Sequence, residues 1–301
     1  MGVTLNITLL DGSIGQELMK RSGDTPTALW STMVMIEHPE LVDQVHAEYF
    51  RVGATIATTN TYPVLQDRLD TNGYDLDIRR LWDAAIKSAR NAAVSNGHGR
   101  VAGSIGPLIA TYRPDICPEP ADAEQQYADI VAHLAADTDF LLIETVSSLK
   151  QAEGALRATD KTDKPVWIAF SVDDFDGAKL RSGEDVSRLF DVVKSHRVDA
   201  VLVNCSRPEA VTAALEQMKT FGLPFGAYAN GFTKISDGFL TDKPTVDALS
   251  ERQDLGPTEY AKFAMHWINQ GATIVGGCCE VGPEHIQELA KQIKDAGHNI
   301  V

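Results

Sequence analysis

One pattern repeats along the whole chain. A short run of β-branched and apolar residues ends in a polar residue and is followed by a stretch with apolar positions three and four apart. The runs cover residues 7–10, 55–59, 101–105, 140–143, 166–170, 200–204, 225–229 and 272–275. Helical spacing fills 39–51, 77–94, 124–135, 149–158, 185–196, 208–221, 257–269 and 283–296. Several of these stretches open with proline, which loses no hydrogen bond in a first helical turn. Several close with glycine, at Gly53, Gly97, Gly222, Gly271 and Gly297, where a left-handed cap is easily formed. Eight strands alternating with eight helices predict an α/β chain folded as a (β/α)₈ TIM barrel, one domain over 1–301. A doubly wound open sheet would normally use fewer strands and a glycine-rich phosphate loop, and neither GxGxxG nor a Walker sequence occurs.

A closed barrel gathers its strand ends on one rim, where active sites of this fold lie. Here the expected ends carry Asp11, Asn60, Glu144, Asn204, Cys205, Asn230, Cys278 and Cys279. Adjacent cysteines point to opposite faces of a regular strand. Cys278 and Cys279 can therefore converge where the strand ends, and Gly276-Gly277 are expected to supply the permissive backbone for that turn. Cys205 ends the sixth strand and faces the pair across one intervening strand. Three thiolates at two strand ends suggest a zinc site whose fourth position is open to substrate. Inert buried thiols, or a strained disulfide within the adjacent pair, are the plainer alternatives.

Bulk properties narrow the partners. The 301 residues are 44% hydrophobic, enough for a sizeable core, and 42 acidic against 27 basic residues give a net charge of −15. That balance argues against nucleic acid and against an anionic membrane surface. No apolar run approaches the ~20 residues that span a bilayer, and no signal-peptide pattern opens the chain. Four cysteines, two of them adjacent, make a poor disulfide framework and suit a reducing cytoplasm.

The motifs Asp11-Gly12-Ser13-Ile14-Gly15-Gln16-Glu17-Leu18, Glu144-Thr145, Asn204-Cys205 and Gly276-Gly277-Cys278-Cys279 with Pro283 after it span nearly the whole chain. Together they resemble the homocysteine S-methyltransferase family. That family includes betaine- and S-methylmethionine-dependent enzymes and the homocysteine module of cobalamin-dependent methionine synthase. The resemblance implies zinc bound by Cys205, Cys278 and Cys279, with the homocysteine sulfur as a further ligand. It also implies that Asp11 and Glu144 hold the amino-acid end of homocysteine. Leu202, Glu280 and the short Asn230-Gly231 segment depart from the family pattern. They leave the zinc ligands in place and bear on the donor side.

The implied activity is methyl transfer from an onium donor (S-methylmethionine, betaine or similar) to homocysteine. A thiol with pKa near ~8.5 is mostly protonated at neutral pH, and metal coordination removes that proton. Asp11 could instead be a turn residue, and Glu144 a helix cap or a rim ion pair. Asn204 is a candidate substrate-site residue that either steers Cys205 or satisfies the strand end. Cys117, in a proline-rich loop, is not expected to be a ligand, and His266 and His285 read as helix residues.

Trp30, Tyr62, Tyr112, Phe232 and Phe239 fall in loops above the rim. There aromatic faces can hold an onium methyl, although loop packing is the simpler role. The segment 231–256 is long enough for a lid, a small helix or an oligomer contact. Alternatives in function are an aldolase or isomerase, a non-catalytic zinc- or thiol-binding protein, and a homocysteine-binding component that takes methyl from a separate corrinoid protein. No lysine ends an expected strand to form a Schiff base. A homo-oligomer is compatible with all of these.

Overall fold

The computed structural model describes residues 3–236, 238, 240 and 249–301. Its strands are β1 (Asn6–Leu9), β2 (Ile56–Thr58), β3 (Arg100–Ile105), β4 (Phe140–Val146), β5 (Val166–Phe170), β6 (Ala200–Asn204), β7 (Phe225–Tyr228), β8 (Ile274–Val275) and β9 (Asn299–Ile300). They form one sheet in the order β2-β3-β4-β5-β6-β7-β8-β1-β9, and every paired neighbour runs parallel. The seam between β1 and β2 has no regular ladder. The Thr55 N–H donates to the Leu9 carbonyl at 2.7 Å, and the Asp11 side chain bridges to Thr58. The sheet thereby curls into the expected TIM-barrel architecture.

The helices are α1 (Ile14–Ser22), α2 (Ser31–Glu37), α3 (Pro39–Val52), α4 (Gln66–Thr71), α5 (Ile78–Asn96), α6 (Pro120–Asp137), α7 (Leu149–Thr159), α8 (Leu189–Lys194), α9 (Pro208–Met218), α10 (Pro257–Gln270) and α11 (Pro283–Asp295). The eight expected helical stretches are all present. The stretch expected over 185–196 splits into a 3₁₀ turn, Val186–Arg188, and the short α8. Periodicity did not announce α1, α2 and α4. They are short rim helices in β–α connections, and α1 grows directly out of the Asp11-Gly12 strand end. Strand β9 was not expected either; two residues after a helix carry no period. It pairs Asn6 with Asn299 and Ile7 with Ile300 at the foot of β1. Among the described residues no helix is long and apolar enough to cross a membrane.

Strand alternation builds the interior in levels. Ile56, Ala102, Leu142, Ala169, Leu202, Tyr228 and Ile274 form one buried cluster with Phe140 and Trp167. The rings of Phe140 and Trp167 lie 4.3 Å apart, and the Arg100 guanidinium lies 5.4 and 5.6 Å from their centroids. The residues with the opposite parity face the helices and belong to the larger core, among them Ile105, Ile143, Ile168 and Val203. Two residues beyond the apolar interior positions Ala102, Leu142 and Leu202 come Ser104, Glu144 and Asn204. The same period of two that packs the apolar level therefore delivers polar side chains to the rim.

Candidate active site

A cavity of about 150 Å³ opens at that rim, lined from several strand ends by Asp11, Thr58, Glu144, Cys205, Tyr228, Cys278 and Cys279. The Sγ atoms of Cys205, Cys278 and Cys279 all lie within 4.8 Å of one another. Sulfurs on a tetrahedral zinc with Zn–S bonds of ~2.3 Å would stand ~3.8 Å apart, so this donor set fits such an ion. In the structure Cys205 and Cys278 are joined as a disulfide, while Cys279 and Cys117 are free. The bond thus joins strands β6 and β8 rather than the two adjacent cysteines. The metal-ready form of the site is the reduced one.

The cysteine loop is held from three sides. Cys278 N–H donates to the Ala229 carbonyl at 2.9 Å, Gly277 N–H to the Asp11 carbonyl at 3.0 Å, and Gly231 N–H to the Cys279 carbonyl at 2.8 Å. Tyr260, buried in α10, donates its hydroxyl to the Gly276 carbonyl at 2.6 Å. The glycines serve a different purpose from the one expected. Neither Gly276 nor Gly277 has positive φ; the need is room. A Cβ on Gly277 would lie 2.1 Å from Val281 Cγ1, and one on Gly276 would lie 2.5 Å from Leu10 Cβ. The left-handed residue of the turn is Glu280, φ 62°. Its N–H donates to Gln16 Oε1 at 2.6 Å, and its carboxylate accepts from Gln16 and from Lys20.

The described non-glycine residues with positive φ are Trp30, Tyr112, Thr145, Cys205 and Glu280. Four of them line the cavity and the fifth follows Cys279. Such conformations cost free energy and concentrate where a side chain must be aimed. Thr145 shows how this works. It is β-branched and left-handed, φ 59°, and sits in a register shift of β4 between Ile143 and Val146. Asn204 holds it there, accepting the Thr145 N–H at 3.0 Å and donating to the Thr145 hydroxyl at 3.0 Å. Asn204, the candidate substrate-site residue expected either to steer Cys205 or to satisfy the strand end, has its side chain on Thr145 rather than on Cys205. It is fully buried, and its amide is spent on the β4 bulge that follows Glu144.

Asp11 and Glu144 are both buried cavity residues. Burial raises the Asp11 pKa to about 7, against the pull of hydrogen bonds from the Thr58 N–H and hydroxyl. Burial and the nearby Asp11 charge raise Glu144 to about 8, with a contact from the Ser104 hydroxyl acting the other way. Burial, reinforced by the Glu280 charge, pushes the Cys279 thiol up to about 12. Left to themselves these groups are held toward their neutral forms; a cationic ligand would favour ionisation of the carboxyls, and a bound metal would deprotonate the thiol.

Of the aromatics expected above the rim, Trp30, Tyr62, Tyr112 and Phe232 line the cavity; Phe239 lies outside the described residues. Trp30 packs so closely that a Cβ on Gly15 would lie 2.3 Å from its ring. The segment 231–256 closes at its base, where Phe232 bridges Glu251 and Thr233 N–H donates to the Ser250 carbonyl at 2.9 Å. Phe232 and Leu249 from its two ends reach the cavity, and its middle lies outside the described residues. Sequence reasoning missed Tyr228, Thr58 and Arg68 as lining residues. Tyr228 stood one residue inside an expected strand end, whereas Arg68 gave no signal.

Fold and site define a class: a (β/α)₈ barrel that brings three cysteine sulfurs and two buried carboxyls to one rim cavity. The sequence model described as homocysteine S-methyltransferase matches residues 8–293. The chain is 30% identical to a homocysteine S-methyltransferase of Escherichia coli, with 94% of each chain aligned. It is 27% identical to homocysteine S-methyltransferase YbgG of Bacillus subtilis over 95% of this chain and 94% of that one. Among solved structures, the homocysteine methyltransferase MmuM of E. coli in its metallated form superposes with a TM-score of 0.78 at 26% identity, covering 95% of this chain and 96% of that one. Its oxidized form gives the same values. The chain belongs to the homocysteine S-methyltransferase family and is an enzyme of that class.

Proposed function

We propose that this protein moves a methyl group from a small onium donor to the thiol of homocysteine, forming methionine, with zinc held by Cys205, Cys278 and Cys279. In this reading all of 1–301 acts as one homocysteine-binding barrel domain. The observation that carries it is the cluster of three sulfurs within 4.8 Å of one another in a cavity that also holds Asp11 and Glu144. Bound zinc supplies a redox-inert, sulfur-compatible Lewis acid that keeps a fourth sulfur, the substrate's, deprotonated at neutral pH.

The chain's own residues do the rest. Asp11 and Glu144 ionise against the ammonium of homocysteine and accept its hydrogen bonds, which fixes the amino-acid end. Trp30, Tyr62, Tyr112 and Phe232 offer aromatic faces to the donor's positive centre. The homocysteine sulfur then meets the donor methyl in line. A new S–C bond forms as the bond from the methyl to the onium atom breaks, and that electron pair leaves with the neutral donor. The protein contributes alignment and the exclusion of water.

The test is methionine formation by the reduced protein from homocysteine and a panel of sulfonium and ammonium donors, with bound zinc measured in the same sample. One zinc per chain and turnover with a donor is the expected result. Absence of zinc after reduction and reconstitution would overturn the reading.

A further inference from the structure

Arg68 is the one basic side chain among the described residues that line the cavity. It stands on α4, in the connection that rises from the end of β2. It is partly buried, and no side-chain hydrogen bond or ion pair ties it to any described residue. Its helix neighbours are satisfied locally: Gln66 donates to Asp70 at 2.7 Å, and Asn72 donates to the Arg68 carbonyl, not to its side chain. Other partly buried arginines of the molecule are paired, as Arg181 is with Asp174 at 2.8 Å and Arg252 with Glu209 at 2.6 Å. Desolvation lowers the Arg68 pKa, while the Tyr62 phenol and the carboxylate of the exposed neighbour Asp67 act the other way without forming an ion pair with it.

A partly buried guanidinium without a paired anion is costly, and the geometry of its fork suits a carboxylate. Asp11 and Glu144 do not supply it, for neither forms an ion pair with Arg68. The cavity therefore presents separate negative and positive stations. Among the described residues the hydroxyl of Tyr228 and Nε1 of Trp30, which also line it, have no partner. That arrangement complements a zwitterion. It is poorly matched to a bare onium ion, whose charge would meet the lone guanidinium.

We propose that Arg68 binds a substrate carboxylate, so that this cavity selects amino-acid or onium-carboxylate ligands over simple onium cations. The inference rests on the methyl-transfer reading and narrows its substrate class. Homocysteine and a zwitterionic donor both carry the required group, so the experiment separates the two sources.

Calorimetric titration of the zinc-loaded, reduced full-length protein would compare ligands that differ in the carboxylate alone. One pair is L-methionine against 3-(methylthio)propylamine. The donor pairs are S-methylmethionine against its decarboxylated sulfonium analogue and glycine betaine against tetramethylammonium. Each is run on wild type, Arg68→Gln and Arg68→Glu. In at least one pair the wild type should prefer the carboxylate member roughly 10- to 100-fold. Arg68→Gln should abolish that preference and Arg68→Glu should reverse it, with the carboxylate-free members changed less than about threefold. A gap in the methionine pair assigns Arg68 to homocysteine, and a gap in a donor pair assigns it to the donor. No gap in the wild type, or a gap that survives Arg68→Gln, overturns the inference. Methyl transfer by the same wild-type preparation separates the two claims. Turnover without a gap removes the role of Arg68 alone, whereas an Arg68-dependent gap without turnover keeps that role and removes the methyl-transfer reading.

Discussion

Asp11 and Thr58 meet across the barrel seam. The Asp11 carboxylate accepts the Thr58 N–H at 2.6 Å and the Thr58 hydroxyl at 2.7 Å. Strands β1 and β2 have no regular ladder, so this carboxylate stands in for missing backbone pairing while lining the rim cavity. The two duties can be separated. Asp11→Asn keeps an acceptor and loses the charge, and should raise the homocysteine KM about tenfold or more with a small change in Tm. Thr58→Val should cost roughly 1 kcal/mol of stability with a smaller change in KM. Steady-state kinetics and thermal melts check both; an unaltered KM in Asp11→Asn removes Asp11 from substrate binding.

Asn204 should act on catalysis through Glu144. Removing its amide in Asn204→Ala strands the buried Thr145 N–H and hydroxyl, at a cost of about 1–3 kcal/mol. The homocysteine KM should rise while zinc stays at one per chain. Glu144→Ala should raise KM further, again with zinc retained. Metal loss in either variant would contradict this division of labour.

Ligand affinity should depend on pH. Asp11 and Glu144 have pKa values raised to about 7 and about 8, so below that window both are largely protonated. An ammonium ligand requires them ionised, and its affinity should therefore grow as pH rises through 7–8. Methionine is the cleanest probe because it has no thiol to titrate. Its Kd should weaken between pH 8.5 and pH 6, with proton release on binding at pH 6.5, measured by calorimetry in buffers of different ionisation enthalpy. A flat Kd across that range would count against the two carboxyls as the ammonium site.

The disulfide and the metal compete for the same sulfurs. Before reduction the unfolded chain should show two reactive thiols, Cys117 and Cys279, and afterwards four. Zinc uptake should follow reduction. It should survive Cys117→Ser and fail in Cys205→Ser, Cys278→Ser and Cys279→Ser, as a thiol titration with parallel metal analysis would show.

His46 predicts acid sensitivity remote from the site. It is buried, neither ring nitrogen has a partner among the described residues, and burial lowers its pKa to about 4. An unfolded histidine titrates near ~6.5. Between those values the unfolded chain holds the extra proton, so the stability contribution is complete above ~6.5 and falls as pH drops toward 4. Denaturant melts at pH 7 and pH 4.5 should differ by about 2–3 kcal/mol more in wild type than in His46→Leu.

The eight-fold alternation, the barrel and the three clustered sulfurs were legible in the sequence because each depends on local spacing. Period two makes a strand, a period near 3.6 makes a helix, and a residue that ends a strand reaches the rim wherever it lies in the chain. Local spacing also placed Asp11 and Glu144 at the rim, where both line the cavity. What only the tertiary structure decided are relationships between segments far apart in sequence. Asn204 turned out to clamp Thr145, 59 positions away. Gly277 is needed for the approach of Val281. Cys205 pairs with Cys278 across 73 positions, and Arg68 enters the cavity without a partner. None of these has a periodic signature, because side-chain partnership is fixed when the barrel closes and desolvates the groups it brings together.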